Sequence, residues 1–267
     1  MNSSRLKSII IVVLALTNAF LLVLLVMRRT QEHAAHNRAV AALVQLYAAN
    51  NVSLDGDRIP NGSLRLSPVD PSRSLSDEAA FAEAIIGPCA MEDAGGGIYR
   101  YVNSHGQCLI RSSGAVEAMS ERVVEDIEAF YESLFSAYGY GALYSTVNDG
   151  SGEVGAARML PDATVFNARL TLTFSDYRLV SVSGSFVPPV EAATHSDGID
   201  SVTALVRFLD YSKLSGEVCT AVTDIRSGYL LQSTASASQR LLPVWRIITD
   251  VSEYYVNSSG TEVSRDS

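Results

Sequence analysis

The longest uninterrupted apolar stretch of the chain lies near its amino terminus. The nineteen residues from Ile9 to Met27 carry no charged side chain. As a helix rising about 1.5 Å per residue, they nearly match a bilayer core of roughly 30 Å. The following residues, TQEHAAHNR, contain no small-residue cleavage site of the kind that ends a signal peptide. The pattern predicts an uncleaved transmembrane helix, with residues 1–30 forming a cytoplasmic head and membrane anchor.

The basic residues beside this segment leave its orientation open. Arg5 and Lys7 precede it, and Arg28 and Arg29 follow it, so the positive-inside rule is nearly balanced. The short head of eight residues favours a cytoplasmic amino terminus and an extracellular carboxy-terminal domain.

One amide side chain, that of Asn18, interrupts the apolar stretch at its centre. A hydrogen-bond partner on a neighbouring helix stabilises such a group by about 0.5 to 2 kcal/mol, because water is absent there. We therefore expect Thr17, Asn18 and Phe20 to contact another membrane helix, either of a second copy or of a different protein.

Beyond the anchor, helical and strand-like periodicities alternate. The spacing of Val40, Leu43, Val44 and Tyr47 predicts an amphipathic helix that continues the membrane helix. Further helices are predicted from an N-cap at Ser76 to Gly87, over Glu117–Tyr138 and over Ile199–Tyr211.

The remaining segments alternate between apolar and polar residues, which is typical of strands. They include a hairpin around Asn103–Gly106, strands between residues 142 and 186, and strands between residues 218 and 257. We therefore predict an α+β fold of two extracytoplasmic subdomains, 31–115 and 116–267. Each is predicted to consist of a helix followed by an antiparallel β-meander.

The charge of the chain is unevenly distributed. The whole sequence has 20 basic and 29 acidic residues, but beyond residue 30 there are 16 basic and 29 acidic residues, a net charge of −13. Such acidity argues against a nucleic-acid-binding protein, which needs a basic face to displace counterions.

Candidate chemistry is scarce. The sequence contains no G-x-S-x-G, P-loop or H-E-x-x-H motif. His33 and His36 share a helix face, but two histidines alone are too few for a metal site. We therefore predict no enzymatic activity, no cofactor and no metal site.

The three cysteines leave two interpretations open. Cys89 and Cys108 fall in the same predicted subdomain and could pair, which would leave Cys219 alone. Three buried thiols fit the sequence equally well.

Three segments resemble the YycI-type regulatory proteins, membrane-anchored accessory proteins of the YycFG (WalRK) two-component system. They are LTNAFLLV in the anchor, AANNVSL after the amphipathic helix, and LLPVWRIITDVSEYYVNSSGTEV near the carboxy terminus. In the last segment, an apolar strand with Pro-x-Trp leads into a Tyr-Val-Asn hairpin. The resemblance marks a set of structural residues: Trp245, Tyr254, Tyr255, Asn257 and Gly260.

The resemblance implies a PepSY-like or YycI-like fold without catalysis, located at the membrane of a Gram-positive cell. It also implies a role, together with a YycH-like membrane protein, in restraining a sensor histidine kinase (YycG/WalK-like) that controls cell-wall metabolism. An alternative is a PepSY-like extracytoplasmic inhibitor or sensor domain that acts on a secreted peptidase. Whether the protein inhibits or activates its kinase, and whether its ectodomain binds a ligand, is left open by the sequence.

Overall fold

The computed structural model describes residues 3–161, 163–190, 196–233, 239–260 and 262–265. Within the first helix, side chains are described from residue 33 onward and at seven earlier positions: Leu14, Thr17, Asn18, Phe20, Leu21, Leu22 and Met27.

The chain begins with one long helix. Helix α1, Ser3–Ala49, runs for 47 residues without a break, which confirms that the amphipathic segment continues the apolar one. Much of the predicted span Ile9–Met27 falls on residues whose side chains lie outside the described part. Within the described part, no helix is long and apolar enough to cross a membrane.

Three shorter α-helices, a 3₁₀ turn at Gly56–Arg58 and a large sheet follow in the described part of the chain. The helices are α2 (Leu75–Ile86), α3 (Ile127–Tyr138) and α4 (Ser201–Ser215). The strands are β1 (Ser53–Leu54), β2 (Ala90–Gly95), β3 (Ile98–Asn103), β4 (Gly106–Arg111), β5 (Ala115–Val123), β6 (Tyr140–Ser145), β7 (Gly152–Leu160), β8 (Ala163–Ser175), β9 (Arg178–Ser185), β10 (Ala221–Ser233), β11 (Gln239–Thr249), β12 (Glu253–Asn257) and β13 (Val263–Arg265).

The α+β class is confirmed, with a large and mainly antiparallel sheet. The described elements repeat one pattern three times, a helix followed by a four-stranded antiparallel meander: α2 with β2–β5, α3 with β6–β9, and α4 with β10–β13. The expectation of two such units is therefore wrong in number. The predicted division between residues 115 and 116 stays a prediction. Backbone pairing continues across it, because β5 is bonded to β4 on one side and to β9 on the other.

Strand β8 joins the second and third meanders, and the pairing of β5 with β9 adds the first meander to the same sheet. One edge of β8 pairs with β7. The opposite edge is shared, since residues from Leu170 onward pair with β9 while Thr164 and Val165 pair in parallel with β10. At the parallel junction, a Cβ on Gly228 would lie 2.5 Å from both the Phe166 ring and the Thr164 carbonyl oxygen. The absence of a side chain at Gly228 therefore lets β8 and β10 approach.

Two main hydrophobic clusters lie between the helices and the sheet. The first is centred on Phe81 of α2 and Phe135 of α3 and is closed by strands of the first two meanders. The second contains the end of α1, helix α4 and strands β10 to β12. A smaller cluster around Tyr229 and Val165 fills the junction between them.

The predicted helix Glu117–Tyr138 is wrong in its first part. Residues Ala115–Val123 form strand β5, and the helix begins only at Ile127. Buried and exposed residues alternate along most of β5, with Val116, Ala118 and Ser120 facing the core. This period of two fits a strand, and the helical stripe inferred from the sequence was genuine only from Val124 onward.

The predicted helix ends are closer to the structure. Helix α2 is capped by the Ser74 hydroxyl, which accepts from the backbone N–H of Asp77, rather than by Ser76. Its end at Gly87 and the end of α3 at Gly139, in the left-handed region, are confirmed.

A buried ion pair lies under the start of α2. Glu78 is only 2% exposed, and its carboxylate accepts two hydrogen bonds from Arg73, at 2.6 and 3.0 Å. The remaining donors of Arg73 reach the carbonyl oxygens of Gly97 and Ile110, and the Tyr101 hydroxyl lies 3.4 Å from the carboxylate. The pair therefore links α2 to strands β3 and β4.

We expect Arg73→Met to lower the free energy of unfolding by about 3 kcal/mol or more, because the buried Glu78 carboxyl would lose its cation and its two hydrogen bonds. Adding Glu78→Leu should restore most of the loss, since no isolated charge then remains. Urea unfolding measures both effects.

The matched control is Arg111→Met. Arg111 and Glu117 also form a pair at 3.0 Å, but their side chains are 42% and 61% exposed, so the loss should stay below about 1 kcal/mol. Equal losses for Arg73→Met and Arg111→Met would contradict this assignment.

Candidate functional site

The carboxy-terminal end of α1 is embedded in the domain. Leu43 and Tyr47 are buried, and Val40 and Val44 pack beside them. All four belong to the cluster that α4 contributes to through Ala204, Leu205 and Phe208. We call this contact the α1 seat, defined by Val40, Leu43, Val44 and Tyr47 of α1 against α4.

A hydrogen bond fixes the rotation of α1 in its seat. The Tyr47 hydroxyl donates to the Leu205 carbonyl oxygen of α4 at 2.7 Å. Burial raises the pKa of Tyr47 far above its ordinary value, and the nearby Cys219 and Asp210 raise it further. The phenol is therefore neutral and remains a donor over the whole physiological range.

The end of α1 is joined directly to the sheet. Asn51 adopts the left-handed conformation, with φ of 61°, and reverses the chain. The N–H of Val52 then donates to the Tyr47 carbonyl oxygen at 3.0 Å. The next residues form β1, which pairs in parallel with β10. Only a few residues therefore separate the helix from the sheet.

The 3₁₀ turn also holds α1 in place. Gly56 lies close to the helix, since a Cβ there would be 3.1 Å from the Val40 side chain. Arg58 in the same turn donates to the Thr223 carbonyl oxygen of β10 at 2.8 Å. The turn thus connects α1 to the sheet on a second side.

Two of the residues marked by the resemblance lie in the same core as the seat. Trp245 of β11 is buried, and its indole N–H donates to the Ile199 carbonyl oxygen at 3.0 Å. The buried ring of Tyr254 lies 4.8 Å from that of Phe208, which belongs to the seat helix α4.

The other marked residues lie nearby in the sheet and its last hairpin. Tyr255 is buried in a small cluster with Phe166, against which its ring stacks at 6.0 Å. Asn257 ends β12, and its carbonyl oxygen accepts from the N–H of Gly260 in the turn. Gly260 has φ of 69°, a conformation that glycine adopts without strain.

The residues proposed for a membrane contact lie far along α1 from the seat. Thr17, Asn18 and Phe20 are exposed, and Phe20 exposes 62% of its surface. The structure thus brings Trp245 and Tyr254 together with the seat and keeps the three anchor residues apart from it. The expected contact with another membrane helix stays a prediction.

The sequence did not reveal that α4 is the helix against which α1 packs. The apolar stripe of 199–211 predicted a helix, and α4 is observed there, but periodicity does not say which helix packs against it. The hydrogen bond from Tyr47 to a main-chain oxygen 158 residues away likewise leaves no trace in the sequence.

Reactive groups are few in the described part of the chain. No group of three or more metal-binding side chains occurs among the described residues, and the His33 ring is hydrogen-bonded to the Asn61 side chain at 2.7 Å. Cys89, Cys108 and Cys219 are free thiols, so the alternative of a Cys89–Cys108 disulfide is not what the structure has. Burial raises the pKa of Cys108 to about 12, which keeps that thiol protonated.

The seat consists of apolar side chains and one phenol bonded to a main-chain oxygen. Such an arrangement is suited to holding two elements rigidly together, because close-packed side chains transmit displacement instead of absorbing it. A movement of α4 or of the sheet would therefore move α1.

Three comparisons relate the chain to known proteins. No known family model and no curated protein matches it. An uncharacterized protein from Eubacterium rectale ATCC 33656 is similar in structure, with a TM-score of 0.46 and 11% identity over 80% of this chain and 85% of that one. The YpeB C-terminal domain from Bacillus megaterium gives a TM-score of 0.37 and 9% identity, over 74% of this chain and 99% of that domain.

YycH from Bacillus subtilis is a third similar structure. Its TM-score is 0.40 at 11% identity, over 74% of this chain and 53% of YycH, so this chain spans about half the length of YycH.

We expect Tyr47→Phe to lower the free energy of unfolding by about 1 kcal/mol, the usual contribution of one hydrogen bond. Tyr47→Ala should cost about 3 to 5 kcal/mol, because it also leaves a cavity. Urea unfolding followed by Trp245 fluorescence measures both. The control is Tyr144→Phe at an exposed tyrosine, which should change nothing, and an equal effect at Tyr144 and Tyr47 would contradict the role of the hydroxyl.

The pH dependence of stability should reveal the pair of Arg246 and Glu253 on β11 and β12. A hydrogen bond from Arg246 lowers the pKa of Glu253 below its ordinary value. A carboxylate with a lowered folded pKa contributes stability above the unfolded pKa of about 4.3 and loses it as the pH falls through the folded pKa. Acid unfolding of Glu253→Gln should therefore show a shallower loss below about pH 4 than the parent protein. An unchanged slope would refute this contribution.

Proposed function

We propose that this chain is a non-enzymatic, membrane-anchored regulatory protein that modulates a sensor histidine kinase controlling cell-wall metabolism. In this proposal the span Ile9–Met27 crosses the cell membrane, with the amino terminus in the cytoplasm and the sheet domain outside. A YycH-like membrane protein is the expected partner, and restraint of the kinase is the expected direction. The three segments that resemble YycI-type proteins motivate the choice of pathway.

The observation that carries the proposal is the α1 seat. One helix runs from Ser3 to Ala49, and its last turns are buried against α4 beside Trp245. A domain tethered by a flexible linker would move independently of its anchor. A continuous helix with a buried end couples the anchor to the domain, so a partner bound outside can change the tilt or rotation of the span.

The free energy needed to shift the kinase between its two states is small. A kinase with two states that differ by a few kcal/mol responds to a partner that packs better against one of them. Thr17, Asn18 and Phe20 are the proposed contact residues in the membrane, because an amide within a bilayer favours a hydrogen-bonding neighbour.

The charge of the domain is consistent with this role. Beyond residue 30 the net charge is −13, so anionic lipids and envelope polymers repel the domain. It therefore stands away from such surfaces unless a protein partner holds it.

A helix-phase experiment tests the coupling. A flexible insert of seven Gly and Ser residues between Thr30 and Gln31 should abolish regulation of the kinase, measured as phosphorylation of its response regulator in cells. A helical insert of the same length, EAAAKAA, should preserve regulation, because seven residues make about two turns and keep the helix in phase. Both variants should unfold at the temperature of the parent protein, since the seat is intact.

Full regulation by the flexible variant would refute the coupling. Photo-crosslinking from position 20 identifies the partner, with Asn18→Leu as the variant that should weaken capture. An adduct with the kinase or a YycH-like protein supports the proposal. An adduct formed only with a secreted peptidase would replace it with the alternative of a PepSY-like inhibitor.

A further inference from the structure

An open groove runs along α3, bounded by the end of β5 and by Glu83 and Ala84 in the last turn of α2. The two helices meet where the Phe81 and Tyr138 rings contact edge to face at 5.0 Å. Beyond that contact they leave a cavity of about 670 Å³. Its floor includes the buried side chains of Val124 and Leu134.

The α3 wall of the groove is made of small side chains. Ala129, Ser133 and Ala137 follow one another at intervals of four residues, and all are exposed. Val123, at the end of β5, exposes 56% of its surface in the same groove. Small residues on one helix face let the backbone of another helix come close, and an exposed valine beside them adds apolar contact.

The rim of the groove is acidic. Glu83, Glu125 and Asp126 are exposed and line it. The basic residue among the lining side chains is Arg122. Its guanidinium donates to the Ala84 carbonyl oxygen at 2.6 Å and lies over the Phe130 ring at 5.1 Å. It is thus held against the wall, and the acids face solvent.

We propose that this groove binds an amphipathic α-helix of a partner protein, one whose small or apolar ridge is flanked by lysine or arginine. The ridge would lie along Ala129, Ser133 and Ala137, and the basic residues would reach Glu83, Glu125 and Asp126. This binding mode is that of an amphipathic helix whose apolar face lies in a groove. The inference rests on the proposed regulatory function and names the partner surface of the domain.

The charge and shape of the groove decide between classes of ligand. An anionic lipid or nucleic acid is repelled by three carboxylates. The α3 wall, a helix of about three turns, suits a rod-like ligand that lies along it.

The experiment uses the full chain in detergent micelles and fluorescein-labelled synthetic peptides. The probe is an amidated 18-residue peptide of Ala, Leu and Lys with Ala or Leu at every third and fourth position. One comparison peptide carries Glu in place of every Lys. A second comparison peptide has two central residues replaced by Pro, which keeps the charge and removes the helix. Fluorescence anisotropy should show binding of the basic helical peptide at least tenfold tighter than that of either comparison peptide.

Two pairs of variants localise the site. Ser133→Trp fills the groove and should weaken binding at least tenfold, whereas Ser136→Trp, at an exposed position of α3 outside the groove, should change it less than twofold. The triple variant Glu83→Gln, Glu125→Gln, Asp126→Asn should weaken binding to a similar extent, and Asn at 126 retains the cap of α3. The charge-matched control is Asp57→Asn, Asp210→Asn, Glu262→Gln, at exposed acids outside the groove.

Absence of peptide binding overturns the proposal. Equal effects of the two tryptophan variants, or of the two triple variants, also overturn it, because the peptide would then bind the acidic protein without using the groove. Equal binding of the proline peptide would overturn the helical ligand. None of these outcomes touches the coupling through α1, which the inserts after Thr30 test separately. Conversely, if the insert experiment disproves the coupling but the peptide still binds, the groove proposal remains valid.

Discussion

The pairing of β8 with strands on both of its edges is the constraint on which the rest of the molecule depends. Because β9 and β10 share one edge of β8, the second and third meanders belong to one sheet, and β5 adds the first meander through β9. Gly228 permits the parallel junction, where any larger residue would collide with Phe166. Each meander is covered by its own helix, so the helices are held at fixed positions along one sheet.

Two surfaces of different character follow from that arrangement. The third meander receives α1 in an apolar seat, closed by Leu43, Tyr47 and α4. The first two meanders place α2 beside α3 and leave an acidic groove between them. A ligand in the groove and helix α1 in the seat would act on the same sheet. Such a shared element is what couples two distinct sites.

The local elements could largely be predicted from the sequence, because their causes are local. The stripe at Val40–Tyr47 predicted the end of α1, and Gly87 and Gly139 predicted the ends of α2 and α3. The prediction failed at Ala115–Val123, where a strand lies directly before a helix. There the apolar spacing of a strand runs directly into the apolar spacing of a helix. Hydrogen bonds to β4 and β9 make residues 115–123 a strand. That single error hid the last strand of the first meander.

The sequence by itself determined the α+β class, the acidic character of the chain and the continuity of α1. These properties depend on composition and on short-range periodicity, which a chain carries before it folds. Only the tertiary structure decided which helix receives α1, that Arg73 neutralises a buried Glu78, and that α2 and α3 leave a groove between them. Those features arise from residues far apart in the chain, and their contacts exist only once the sheet has set the positions of the helices.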